Sequence, residues 1–278
     1  MKSPVTCLSV VAFTALAICA ATPQRAFPTA EEAAHALVGA AESGNANALG
    51  LLFGANSKEI ISSGDAVQDR NTRADFVKAA KTSMTLKTDP VNENRVVLLI
   101  GADNFEFPVP LVREDGLWSF DTREGAREIL ARRIGSNELD AISACAEYVQ
   151  TQRQFAAEDS DDSGIRQYAQ KFTTSPGQKD GLNWPAGRMA PYHGYHYKIL
   201  KAQGPDAPGG AKDYLVQGLM IGGFGLVAWP AEYGASGVMT FIVNQDGQVY
   251  EKDLGPDTEA LGQAMVAFNP DKTWRGVR

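Results

Sequence analysis

Midway along the chain the apolar residues fall into a fixed step. Leu139, Ile142, Cys145, Val149, Gln152 and Phe155 recur at spacings of three and four, and all but Gln152 are apolar. That period marks one buried face of an α-helix. Strand signals lie on both sides of it, so the helix links two halves of a mixed chain. The joint just before it carries its own punctuation. Asp121 and Glu124 have capping-box spacing and start a helix. Arg132 and Arg133 suit the negative end of that helix, Gly135 suits a left-handed stop, and Asn137 can cap the next helix. A helix–glycine–helix joint is therefore expected at 132–138.

The residues before the joint read as helices followed by strands. Thr29 is a good N-cap for a helix reaching Ala41, with Glu31 and Glu32 in its first turn. Further helices are expected at Asn45–Phe53, closed by Gly54, and at Ala66–Lys81. Strands are expected at Arg95–Ile100, Phe105–Arg113 and Leu117–Phe120. Pro108 and Pro110 push the second of these to an edge or a bulge. After the central helix comes a polar break at Glu158–Gly164, then a short helix suggested by Ile165, Tyr168, Ala169 and Phe172. A loop-rich stretch, Ser175–Pro191, leads to strands at His196–Leu200, Tyr214–Ile221, Phe224–Trp229 and Val238–Val243. Asp246–Gly247 turns the chain into Val249–Leu254, and Asp257 caps a closing helix with Leu261, Met265 and Phe268 inside. The class is α+β, with domains expected at 22–122 and 123–278.

The first 21 residues have the pattern of a secretory signal. Lys2 is followed by an uncharged run from Val5 to Ala20, and Ala20–Ala21 offers small residues for cleavage. The run is short for a membrane span, so no span is expected once the signal is removed. Ile18 is bulky where a lipoprotein signal before Cys19 wants a small residue. An exported, periplasmic chain is the expectation. Cleavage after Ala21 removes Cys7 and Cys19, leaving Cys145 as a packed thiol with no disulfide partner. The net charge of −7, with no basic run longer than Arg132–Arg133, excludes a nucleic-acid partner.

Motifs of chemistry are sparse. His193 and His196 are three apart, but Gly194 between them argues for a turn running into a strand, so no metal is expected there. Asp159, Asp161, Ser163 and Gly164 echo half of a calcium loop, yet Gln170 stands where the bidentate Glu belongs. Gly222-Gly223-Phe224-Gly225 lies between strand signals and reads as a hairpin or bulge instead of a phosphate cradle. Gly234-Ala235-Ser236-Gly237 lacks the spacing of a nucleophile elbow. Neither a catalytic residue nor a cofactor follows from the sequence. The candidate recognition residues are Arg132, Arg133, Asn137 and Glu138 at the joint, where the arginines could grip a carboxylate, and Trp184, His193 and Tyr195 in the aromatic-rich second half.

Several segments carry a resemblance. Arg132-Arg133-Ile134-Gly135-Ser136-Asn137-Glu138-Leu139, Tyr192-His193-Gly194-Tyr195 and Ala202-Gln203-Gly204-Pro205-Asp206-Ala207-Pro208-Gly209-Gly210 are distinctive. The longest such stretch is Gly223–Thr258, centred on Ala228-Trp229-Pro230-Ala231-Glu232-Tyr233 and Gly237-Val238-Met239-Thr240-Phe241. Together they resemble the exported bacterial proteins of domain-of-unknown-function family 2950. The resemblance implies export and no particular activity. The segment Trp184–Tyr192 is shorter here than in that family's pattern. At fold level the first half is similar to the cone-shaped NTF2-like fold, and the second to the soluble part of a type IV pilin. The expected role is a non-enzymatic binding or assembly module whose partner is an envelope protein or a cell-wall component. The alternatives are an envelope hydrolase using two carboxylates and a pilus- or secretion-related component.

Overall fold

A computed structural model describes residues 24–62, 66–158, 164–175, 181–184 and 190–277. The signal at 1–21, the aspartates of the acidic run at 159–163 and most of the loop-rich stretch lie outside the described residues. The chain divides into two compact units, Met1–Glu128 and Ile129–Arg278.

In the first unit, α1 (Ala30–Ser43) starts where the Thr29 hydroxyl accepts the Glu32 N–H and ends at left-handed Gly44. Its buried stripe is Ala33, Ala34 and Leu37. The Asn45 side chain caps α2 (Ala46–Phe53) by accepting the N–H groups of Asn47 and Ala48. A 3₁₀ turn, Gly54–Asn56, leads to α3 (Ser57–Ile61), and α4 (Ala66–Thr82) follows. The strands are β1 (Met84–Thr88), β2 (Arg95–Ile100), β3 (Phe105–Glu106), β4 (Leu111–Glu114) and β5 (Leu117–Phe120). They form one antiparallel sheet in the order β1-β2-β4-β5, with β3 also on β2. Val96, Leu98 and Ile100 of β2 face the helices, and Leu111 and Phe120 join them in the core. The β1 strand was not expected, because Met84 and Leu86 alternate with only three polar neighbours. The expected run Phe105–Arg113 is broken into β3 and β4 where Pro108 and Pro110 supply no N–H. The chain before α1 is tied down: the Gln24 amide donates to the carbonyls of Leu52 and Phe120, and Phe27 exchanges two backbone bonds with Trp118.

The joint expected at 132–138 does not exist. Helix α5 runs unbroken from Thr122 to Ala157. Asp121 starts it by accepting the Glu124 N–H at 3.0 Å. Gly135 sits inside the helix, so Arg132, Arg133 and Asn137 occupy interior turns instead of caps. A helical glycine costs about 1 kcal/mol against alanine, which the packing of the turns that follow can outweigh. The buried face also differs in phase. Ala141, Ala144, Cys145, Tyr148, Val149 and Gln152 are buried, whereas Leu139 is 67% exposed.

The second unit holds β6 (Tyr195–Leu200), β7 (Ala202–Gln203), β8 (Lys212–Asp213), β9 (Leu215–Val216), β10 (Leu219–Met220), β11 (Gly225–Pro230), β12 (Met239–Asn244), β13 (Tyr250–Asp253), α6 (Thr258–Ala264) and β14 (Arg275–Gly276). Its main sheet is antiparallel in the order β14-β13-β12-β11-β6. One face packs on α5 through Tyr195, Leu226, Ala228, Phe241 and Val243. The other packs Val227, Trp229 and Ile242 on Phe268. Every residue of β11 is buried, as expected for a strand covered on both faces. The overall class is α+β, with six α-helices and antiparallel sheets among the described residues.

Three second-half expectations need correction. The run Tyr214–Ile221 is a tight hairpin, β9–β10, because Gln217 and Gly218 both adopt positive φ. The short helix at 165–172 is absent: the Tyr168 N–H bonds the Met220 carbonyl, and Ala169 is held at both its N–H and its carbonyl by the Gln152 amide. Asp257 sits at the N-cap of α6 without a side-chain bond; Leu261 is exposed, and the buried Phe268 lies beyond the helix.

Candidate functional site

Four of the residues singled out from sequence meet in the second unit. On α5, the Asn137 amide donates to the Ser236 carbonyl at 2.9 Å. One residue on, Glu138 Oε1 accepts the N–H groups of Val238 and Met239, both at 3.0 Å. From β6, the Tyr195 hydroxyl donates to the Met239 carbonyl at 3.0 Å. His193 stands in the two-residue turn that Tyr192 and Tyr195 close with reciprocal backbone bonds. His193 and Gly194 have φ of 50° and 75°, the paired left-handed geometry of a type I′ turn. His193 Nδ1 lies 3.3 Å from Asp140 Oδ2, and both side chains are nearly half exposed.

The frame under this cluster is tight. A Cβ on Gly194 would stand 2.6 Å from Asn137 Nδ2, and one on Gly237 would stand 2.2 Å from the Tyr195 hydroxyl. Helix, turn and strand are thus in contact at positions where only glycine fits. Burial, with the Glu138 carboxylate nearby, pushes the Tyr195 phenol well above its ordinary range, so it stays a neutral donor. The arrangement brings a half-exposed carboxylate and a half-exposed imidazole side by side, with the Asp140 carboxylate at the Nδ1 edge of the ring. Beside the pair on α5 is exposed Leu139.

The remaining candidates lie elsewhere. Arg132 is half-buried and Arg133 exposed, and both precede the cluster on α5. Trp184 is buried, not displayed: its ring packs 5.6 Å from Tyr148, 5.4 Å from Phe172 and 5.3 Å from Tyr197. Tyr192 links that aromatic group to His193, with centroid separations of 6.4 Å to Tyr197 and 4.2 Å to His193. His196 turns to the opposite side of its strand and packs 5.7 Å from Trp229. Asp140 escaped the sequence reading, because its partner lies far along the chain and nothing in its neighbours sets it apart.

Other groups are accounted for by packing. Cys145 is fully buried, and burial pushes its thiol up to about 12. Gly222 and Gly223 lie against the backbone and ring of Tyr214, where a Cβ would come within 2.6 Å and 2.7 Å of neighbouring atoms. Asp89 and Asp271 are both shifted downward, the first chiefly by the Val91 N–H and the second by the Thr273 hydroxyl and N–H. Among the described residues no three His, Cys, Asp or Glu side chains gather as metal ligands, and no helix is long and apolar enough to cross a membrane.

No curated protein matches the chain, and no solved structure matches it. A family model does, in two stretches, residues 24–190 and 185–277, which overlap inside the segment after Trp184. Between them these cover all but the ends of the chain, including every residue of the cluster around Glu138 and His193, and so the chain belongs to the family described as Protein of unknown function (DUF2950).

Proposed function

We propose that this is an exported cell-envelope protein that works as a non-enzymatic binding or assembly module, with the middle of α5 as its recognition surface. The observation that carries the reading is the Asp140–His193 pair beside exposed Leu139, held on a frame of three side chain–backbone anchors. A rigid, mixed polar and apolar patch binds at little ordering cost. Export rests on the first 21 residues, with Lys2, the run Val5–Ala20 and the small pair Ala20–Ala21. The NTF2-like likeness of the first unit and the pilin-like likeness of the second suit this role as analogies. A pilus-related role asks for an apolar start to the long helix, whereas α5 begins Thr122-Arg123-Glu124.

The test is site-specific photo-crosslinking in living cells. A crosslinker at Leu139 should give one reproducible envelope adduct that is lost with His193→Ala. The same crosslinker at exposed Val91 of the first unit should not give it. Absence of any adduct from Leu139, or the same adduct from Val91, overturns the reading.

A further inference from the structure

The last turns of α5 form one wall of a cleft of about 260 Å³. Thr151, Gln154 and Phe155 line it from the helix, Glu158 lines it just past the helix end, and Thr174, Gly181 and Leu182 line it from the facing segments. The facing wall is firm at Gly181, where a Cβ would stand 2.3 Å from the Thr173 carbonyl.

The polarity of this cleft is one-sided. Among the described residues that line it none is basic, and the last turn of α5 contains no basic residue to meet the negative end of the helix dipole. The Thr151 hydroxyl spends its proton on the Glu147 carbonyl at 2.9 Å, so it offers lone pairs to the cleft. Glu158 is exposed and brings a carboxylate to the lining, and Gln154 brings an amide. Phe155 and Leu182 supply an apolar flank, and an aromatic face also attracts a cation.

We propose that this cleft binds a primary ammonium carried on an aliphatic stem. The ammonium sits among Glu158, Thr151 and Gln154 and donates its three protons to their oxygens, while the methylenes lie along Phe155 and Leu182. A free alkyl diamine and a lysine side chain in a peptide both carry this group. The site is separate from the Asp140–His193 surface and stands whether or not that surface recruits a partner.

Isothermal titration of the purified protein at neutral pH tests it, with 1,5-diaminopentane as probe and 1-pentanol as its uncharged counterpart. Saturable binding of the diamine and none of the alcohol is expected. Glu158→Gln, a surface change with little reach into the fold, should weaken the diamine about tenfold, as should raised salt. Nα-acetyl-lysine methylamide then separates the sources: binding as tight as the diamine assigns a peptide lysine, and binding of the diamine alone assigns a free amine. No saturable diamine binding, equal binding of the alcohol, or a Glu158→Gln protein that binds unchanged overturns the proposal.

Discussion

Glu138 is the residue on which the described cluster turns. Its Oε1 accepts the backbone N–H groups of Val238 and Met239 in a half-buried place. Removing that acceptor takes a bond from both, so Glu138→Ala should cost about 2–3 kcal/mol. Glu138→Gln keeps a carbonyl oxygen there and should cost about half as much, both read from urea unfolding. Gly237→Ala acts by steric means: the new methyl lands on the Tyr195 hydroxyl and must break its bond to Met239. Burial also gives the chain an alkaline limit. The Cys145 thiol rises from an ordinary 9.0 to about 12, and burial raises Tyr148 from an ordinary 10.0 as well. As pH climbs above 9.0, the unfolded chain releases protons that the folded chain keeps. Stability is therefore intact below that pH and falls as pH rises toward about 12. Urea midpoints measured along an alkaline series should decline, and Cys145→Ala should remove the earliest part of the decline.

At the scale of elements, α5 separates what a sequence states from what it leaves to packing. The existence of a central helix is legible from its period, and so is its start at Asp121. Its continuity is not, because Arg132-Arg133-Gly135-Asn137 carries the local preferences of a stop and a start. Each preference is worth about 1 kcal/mol and yields to the turns buried after it. Gly135→Ala checks this directly. The position is helical, and apart from the neighbouring helix backbone no atom stands within 4 Å of a new Cβ, so the change should stabilise the protein by about 1 kcal/mol in thermal unfolding. A capping glycine at positive φ would instead lose stability. The helix expected at 165–172 fails for a related reason: Gln152, far off in sequence, takes the backbone groups that a helix would use. Asn137 and Glu138 were singled out at a joint that α5 does not contain, and His193 and Tyr195 from the turn around Gly194. Their meeting was not legible, since it depends on which turn of α5 faces the segment before β12.

The whole molecule has separate cores. The first unit packs Leu37, Leu52, Leu98, Leu111 and Phe120, and the second packs Tyr148, Tyr195, Leu226 and Phe241. Leu98→Ala should lower one unfolding transition by about 2–5 kcal/mol and spare the second, and Phe241→Ala should do the converse. Trp118 reports on the first unit and Trp229 on the second, so fluorescence of single-tryptophan variants assigns each transition. One transition shifted equally by both changes would mean that the units unfold as one.

The grip of Gln152 on Ala169 has a further meaning for time. A primary amide that gives one bond and takes one reproduces what a neighbouring strand would offer, so Ala169 lives as though it were in a sheet. Buried amides of that kind surrender deuterium slowly, whatever the regularity of the backbone around them. In hydrogen exchange this irregular stretch will keep its label beside the strands of the second unit, a clock set by one glutamine.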